Sequence, residues 1–395
     1  MKKILLITEM YPSPHGTGNE TPICHYFAKE WKEMGYDVKV IHINYILPRI
    51  YKWVGKLLSR IYPTNTWSVN FLNTSGKSEN YEIDTIPITY IPIIRPLPRH
   101  KVPKWLNGLA YKKVEHLLHV DNYIPDIIIG HWTSPLYFIS KLKTIFPKVR
   151  TGLVLHQNPI FSNDMRILYD TLDAIGFRNN AIQESFECLY GKHDNEFICY
   201  SGVPEAYLSS VPKTFNSTIS RFVYVGKLIE LKRIENSIIA LNRIYEGKDF
   251  YFDIVGDGVC RAELERLTDE LNLNEKITFH GNVSRSKAQE IVNHAECFVM
   301  VSDHEAFGLV YLEAMAKGLI TIATKGQGAD GFIVDGNNGF LCPPKDVDAL
   351  CEILRKVKSM NSDELYRMSS AALTTASEMT DRKVAEKYIE SIIRK

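Results

Sequence analysis

Residues 302–318 read SDHEAFGLVYLEAMAKG, and this stretch decides how the rest of the chain is read. Glu305 precedes a turn. Ala306, Phe307, Gly308 and Leu309 open a helix whose apolar set, Leu309, Leu312 and Ala316 with Ala314 and Met315, would pack inward. Gly318 is the stop. The opening amides of a helix have no internal acceptors and stand at the positive end of its dipole, so a phosphate would be held near 307–309. Glu313 falls one turn further in, where a carboxylate can take two hydroxyls of a ribose. Two acids flanking a helix start are usually solvated cap residues. Here an apolar strand over 297–301 precedes them and another over 319–323 follows, and that company makes the pair a candidate site. Eight helical positions rise about 12 Å, whereas the paired carboxylates of glycosidases stand roughly 5–9.5 Å apart, so hydrolysis by a carboxylate pair does not fit.

Working outward, strand and helix alternate through the second half. Strands are expected over 221–225, 250–255 and 276–280, with helices over 235–245, 261–271 and 287–295, and such alternation implies a parallel sheet. Lys227 and Lys232, with Arg233 beside the latter, follow the first of these strands. Asn282 and Val283 follow the third. The single D-x-D, Asp346 to Asp348, follows Pro343-Pro344 and opens a helix, so it reads as an N-cap and is assigned no metal. The chain ends in helices over 347–358, 362–376 and 382–393.

The first half opens with a strand over 3–8, a loop holding Gly16 and Gly18, a helix over 20–34 and a strand over 37–43. Gly16-x-Gly18 invites a dinucleotide reading, but the third glycine position is Thr21 and the second strand carries no acid for a ribose. Residues 44–120 read as irregular apart from a strand over 84–94. Regularity returns from 125, with His131 and His156 at the carboxyl ends of strands over 126–130 and 151–155, where open α/β sheets place ligands. A turn at 201–204 and a polar stretch over 207–220 put the domain boundary at 205/206.

The spacing Glu305-x7-Glu313, followed by Ala314-Met315-Ala316-x-Gly318, resembles the signature of the family 4 retaining glycosyltransferases. Their fold is GT-B, an α/β architecture of two Rossmann-like doubly wound parallel-sheet domains facing a cleft. The resemblance implies an acceptor-binding domain over 1–205, onto which a C-terminal helix, 380–395, packs back, and a nucleotide-sugar donor-binding domain over 206–379. It gives Glu305, His131 and Lys232 catalytic parts. It assigns the donor to Gly16, Gly18, Lys227, Lys232, Asn282, Val283, Glu305, Ala306, Phe307, Gly308, Leu309 and Glu313. Lys227 departs from the family's usual Arg, and a lysine supplies charge without the bidentate fork. The implied reaction retains anomeric configuration without a metal or other cofactor, moving sugar from a nucleoside diphosphate, UDP favoured over GDP, to a saccharide or lipid-linked acceptor in bacterial surface polysaccharide or glycolipid synthesis. Two alternatives are a sugar-nucleotide epimerase or hydrolase on the same fold and a non-catalytic nucleotide-sugar-binding subunit.

The chain of 395 residues is 45% apolar and 24% charged, enough for two full cores. Residues 1–200 hold 23 Lys and Arg against 18 Asp and Glu, and the remainder 24 against 28, so the basic half should meet the acidic partner. That excess is too small for a nucleic-acid binder. Seven cysteines without a C-x-x-C pair read as reduced core residues. No stretch approaches a spanning helix, so a cytoplasmic protein is expected. Residues 49–62, RIYKWVGKLLSRIY, put Arg49, Lys52, Lys56 and Arg60 on one helical arc and an apolar set on another, with Trp53 at the border. Such a helix suits an anionic membrane surface or, equally, docking on its own domain.

Overall fold

The computed structural model describes residues 1–14, 21–46, 77–96, 102–215, 218–303 and 305–394. Gly16, Gly18 and the amphipathic stretch with Arg49, Lys52, Trp53, Lys56 and Arg60 lie outside the described residues. The chain divides into two compact units: Met1–Phe177 with Glu184–Cys199 and Ala385–Lys395, and Arg178–Gln183 with Tyr200–Val384. The division expected at 205/206 and 379/380 therefore falls at 199/200 and 384/385, and 178–183 count with the second unit.

The first unit is built on β1 (Lys3–Thr8), whose Ile4, Leu5, Leu6 and Ile7 have no exposed surface. A strand buried on both faces reads as a continuous apolar run, which is what KILLIT is. It pairs in parallel with β2 (Asp37–Ile46), reached through α1 (Ile23–Glu33). That helix buries Cys24, Phe27, Ala28 and Trp31, one face of a 3.6-residue period. A hairpin of β3 (Glu79–Ile83) and β4 (Ile86–Ile94) follows, then α2 (Lys104–Val120). Next come β5 (Ile127–His131), α3 (Leu136–Ile145), β6 (Arg150–Leu155), α4 (Asn163–Tyr169), β7 (Ala174–Phe177), α5 (Asn180–Tyr190) and β8 (Glu196–Ile198). The described strands are ordered β3-β4-β2-β1-β5-β6-β7-β8, parallel except for β3 at the edge. The winding reverses between β1 and β5, so the carboxyl ends of those two strands flank the switch point where open α/β sheets bind ligands.

Among the described residues of 44–120, the strand expected over 84–94 is present as β4, and the irregularity expected around it is overturned by β3 and by α2. The hairpin turn is Asp84-Thr85, both left-handed at φ 48° and 62°, and it lacks the Asn-Gly pair that normally announces such a turn. Helix α2 buries only Ala110, Val114 and Leu118 among its charged residues, so its period is faint in the sequence.

The second unit is built on β9 (Arg221–Val225). Then come α6 (Ile234–Ile244), β10 (Tyr251–Val255), α7 (Arg261–Glu270), β11 (Ile277–Gly281), α8 (Arg285–His294), β12 (Cys297–Val299), α9 (Leu309–Met315), β13 (Ile320–Thr324) and β14 (Phe340–Cys342). The strand order is β11-β10-β9-β12-β13-β14, all parallel. Here the winding reverses between β9 and β12. Helices α10 (Val347–Ser359) and α11 (Ser362–Ser377) follow, and α12 (Asp381–Ile393) counts with the first unit from Ala385. Trp31 donates its indole N–H to the Ala385 carbonyl at 3.1 Å, and Tyr388 meets Trp31 and Phe27 edge-on. All seven cysteines are free thiols. Among the described residues no helix is long and apolar enough to cross a membrane.

Candidate active site

Two loops of the second unit arrive at its switch point, one from β9 and one from β12. The β9 loop passes through Gly226, Lys227 and Leu228 into a single 3-10 turn, Glu230–Lys232, after which Arg233 takes a left-handed φ of 48° and starts α6. The buried strands β9 and β12, neighbours in one sheet, fix these departures. Leu228 is fully buried and its amide donates to the Asp257 carbonyl at 3.0 Å, which anchors the loop between two exposed neighbours, Lys227 and Glu230.

The β12 loop brings Asp303 and Glu305. The Lys232 ammonium donates to Glu305 Oε2, a pairing in which both side chains keep about a fifth of their surface or less, 21% and 15%. Asp303, 11% exposed at its side chain, meets Lys345 Nζ at 2.8 Å and Arg233 at 4.0 Å, and its amide donates to the Leu231 carbonyl at 2.6 Å. Arg233 also faces Glu230 and Glu235 at 3.7 and 3.6 Å, and its buried Nε has no hydrogen-bond partner among the described residues. The arrangement is a cluster of fixed cations held in place by carboxylates, which is how a site keeps positive charge ready for an anion without letting lysines wander.

The helix expected to open at Ala306 begins at Leu309, and this is a correction. Gly308 stands at its N-cap with φ 72°, a conformation a Cβ would disfavour. Ala306 and Phe307 belong to the turn before it. Ala306 is exposed, whereas Phe307 is core, 4% exposed and packed against Tyr200 and Phe332 with the Arg178 guanidinium 4.6 Å from its ring centre. The turn is braced from two further places. The Glu305 amide donates to Gln327 Oε1 at 3.0 Å, and the Gly328 amide donates to the Glu305 carbonyl at 2.9 Å. Gly328 lies so close that a Cβ there would stand 2.3 Å from Phe307 Cα. Asn179 donates its side-chain amide to the Ala306 carbonyl at 2.7 Å and accepts from the Ile182 amide.

Glu313 sits on α9 with its side chain 14% exposed, accepting from Arg285 at 2.9 Å and Gln289 at 3.4 Å. Burial raises its carboxyl above the ordinary range, and Arg285 opposes that shift. Asn282, exposed, and Val283, half-buried, follow β11 in the loop that leads to Arg285. The structure thus gathers Lys232 and Glu305 in one cluster and places Lys227, Glu313, Asn282 and Val283 in the same unit.

His131 belongs to the first unit and is fully buried. Its Nδ1 lies 2.9 Å from His156 Nε2, and its Nε2 lies 3.3 Å from the Tyr388 hydroxyl. His156, half-buried, stacks on Trp132 with ring centres 3.9 Å apart, and Trp132 carries a left-handed φ of 66°. Asp346 caps α10 by accepting from the Ala349 amide at 2.8 Å, and Asp348 pairs with Arg243 at 3.1 Å, so the D-x-D carboxylates serve helix ends and the surface.

Sequence reasoning did not find Asp303, Lys345, Gln327, Gly328, Arg178 or Asn179. Lys325-Gly326-Gln327-Gly328 after β13 was the available signal, a glycine-rich turn at a strand's carboxyl end beside β12. The polar pair Arg178-Asn179 after β7 gives no such sign, because the Ala306 carbonyl and the Phe307 ring that it meets at the site lie more than 120 residues away.

With two doubly wound parallel sheets, each ending in a loop-lined switch point, the chain has the architecture of a GT-B glycosyltransferase. Residues 210–374 match the family model of glycosyl transferases group 1. It is similar to N-acetyl-alpha-D-glucosaminyl L-malate synthase of Bacillus anthracis, 23% identical, with 66% of this chain and 69% of the relative covered. It is also similar to the lipopolysaccharide core biosynthesis glycosyltransferase LpsE of Rhizobium meliloti, 24% identical over 43% of this chain and 49% of the relative. Among solved structures, Anabaena Alr3699/HepE in complex with UDP and glucose matches with a TM-score of 0.66 at 18% identity, over 99% of each chain.

Proposed function

We propose that the enzyme transfers a sugar, with retention of configuration and without a metal, from a nucleoside-diphosphate sugar to a saccharide or lipid-linked saccharide. The observation that carries this reading is the Lys232–Glu305 pair at the switch point of the second sheet, with Arg233 and Lys345 beside it. A departing diphosphate must be neutralised, and in this reading Lys232 and Lys227 would do so while the leaving-group charge grows. As the C1–O bond to the diphosphate breaks, the acceptor hydroxyl oxygen bonds to C1 from the same face, and its proton passes to the departing phosphate oxygen. Glu305, released from Lys232 by the diphosphate, would contact donor sugar hydroxyls. Glu313 would accept from the ribose, exchanging Gln289 and part of Arg285 for ribose hydroxyls, and Asn282 and Val283 would offer backbone to the base. His131, wholly buried, would act through His156 as a positioning residue.

UDP is favoured as the nucleotide, a reading supported by the UDP complex of the HepE neighbour, and synthesis of a bacterial surface polysaccharide or glycolipid is supported by the lipopolysaccharide relative. A cytoplasmic enzyme bound peripherally through residues 49–62 completes the proposal and rests on sequence alone. The test is a thermal-shift screen with UDP-, GDP- and ADP-sugars, followed by transfer assays in EDTA. Stabilisation by one nucleotide class and chelator-resistant transfer are expected; free sugar with no transfer to any acceptor would favour the hydrolase.

A further inference from the structure

Arg285 and Gln289 stand four residues apart on α8, so one face of that helix carries both to Glu313. They take different oxygens of its carboxylate. Arg285 donates to Oε1 at 2.9 Å, whereas Gln289 donates its side-chain amide to Oε2 at 3.4 Å, beyond the usual length of such a bond. The Arg285 guanidinium is also held by the Tyr207 ring, whose centre lies 5.0 Å away, so one edge of the carboxylate is committed. The other edge is weakly held. There the Gln289 carbonyl oxygen, Oε1, is buried and has no hydrogen-bond partner among the described residues. Turning the amide over would set that oxygen against Glu313 Oε2, acceptor to acceptor, so Gln289 is fixed as it stands. Two acceptors therefore lie side by side, and a buried acceptor left empty is costly. An anion supplies neither with a donor. A single hydroxyl fills one and leaves the other. Two hydroxyls on adjacent carbons fill both.

We propose that Gln289 is a specificity-determining residue that accepts from one hydroxyl of the donor's ribose while Glu313 accepts from its neighbour, and that it restricts the donor to ribonucleoside diphosphates. 2′-Deoxyribonucleoside diphosphates, dTDP among them, are rejected. A deoxy sugar keeps the rest of the ligand but leaves one buried acceptor unfilled, and a site built to hold a hydroxyl discriminates strongly against the analogue that lacks it. Glu313 alone discriminates less, because a carboxylate that misses one hydroxyl still holds Arg285, whereas Gln289 Oε1 has nothing else to hold. The Gln289 N–H that Glu313 gives up stays beside the same hydroxyls, which accept as well as donate. The proposal rests on the placing of the ribose at Glu313 above.

Calorimetric titration of the full chain with UDP and with 2′-deoxy-UDP tests this in wild type, Gln289→Met and Gln289→Ala. Wild type should bind UDP about 10- to 100-fold more tightly than 2′-deoxy-UDP, the cost of one buried acceptor left open. In Gln289→Met that preference should shrink about three- to tenfold, because UDP loses a hydrogen bond. 2′-Deoxy-UDP should bind the variant as well as it binds wild type, or better, since the empty acceptor is gone. A merely structural Gln289 would not separate the two nucleotides, as lost packing weakens both alike. Thermal unfolding reports folding, and Gln289→Ala, a helix-favouring change at a half-buried position, serves if the methionine does not fit. Equal affinity of wild type for both nucleotides, a preference unchanged in the folded variants, or equal weakening of both ligands would overturn the proposal. The two readings fail differently. If wild type binds neither nucleotide, the placing of the ribose at Glu313 falls and Gln289 with it; if it binds both alike, the nucleotide site stands and only the role of Gln289 falls.

Discussion

Lys232 and Glu305 neutralise each other in the structure, so a variant at either one leaves its partner's charge half-buried and unpaired. Lys232→Ala should lower turnover on the order of 10²-fold or more, because the charge it removes counts most as the diphosphate leaves; steady-state kinetics on the folded variant measure it. Glu313 makes a different trade. Its carboxyl is raised by burial, so the native state holds that proton more tightly than the unfolded chain does, and stability falls as pH rises above the ordinary carboxylate range. Glu313→Gln should therefore melt at the same temperature as wild type or higher at pH 7, with the difference shrinking towards about pH 4, where both are uncharged. Its UDP affinity should drop about 10- to 100-fold, the worth of a charged hydrogen bond. A lower melting temperature at pH 7 than at pH 4 relative to wild type would mean that Arg285 outweighs burial. The two glutamates were legible in the sequence because spacing and flanking strands mark them. Asp303, Lys345 and Gln327 were not, since each earns its place through a contact that only the folded chain makes.

At the scale of elements, the chain's apolar strands predicted their own positions: β9, β10 and β13 fall within a residue of the expected bounds because buried parallel strands are continuous apolar runs. The start of α9 did not, because Ala306 and Phe307 carry helix-compatible side chains while Gly308 takes a left-handed φ and the Gln327–Gly328 loop holds the turn open. The same contact makes a sharp test. Gly328→Ala would drive a Cβ onto the Phe307 backbone, and neither backbone can give way cheaply. The expected destabilisation is about 1–3 kcal/mol, read by chemical denaturation, with a fall in turnover because the Glu305 amide and carbonyl both lean on that loop. Wild-type stability in this variant would show that the two turns are not packed as described. The second strand of the hairpin at 79–94 was expected, but its first strand and turn were not, for a related reason: Asp84-Thr85 adopts two left-handed residues without a glycine to announce them.

For the whole molecule, two successive runs of strand–helix alternation made two parallel α/β units legible in the sequence, the GT-B architecture followed from the resemblance carried by Glu305-x7-Glu313, and the solved neighbours match that fold over nearly the whole chain. Where the chain hands over between units was less plain, since 178–183 and the last helix join their units through contacts distant in sequence. The amphipathic stretch 49–62 remains a matter of sequence. Liposome co-sedimentation should show pelleting with anionic vesicles, little with neutral ones, and loss when Lys52, Lys56 and Arg60 become glutamate, each basic residue being worth about 1 kcal/mol at such a surface. Equal pelleting with both vesicle types would assign the stretch to the fold. The most direct measurement concerns the cations fixed at the switch point of the second sheet. Calorimetric titration of UDP into wild type and Lys232→Ala, both in EDTA, should give binding that the chelator leaves intact and that weakens about 10- to 100-fold in the variant. Binding that requires Mg²⁺ or Mn²⁺, or an affinity unchanged in the folded variant, would contradict a nucleotide site built on Lys232.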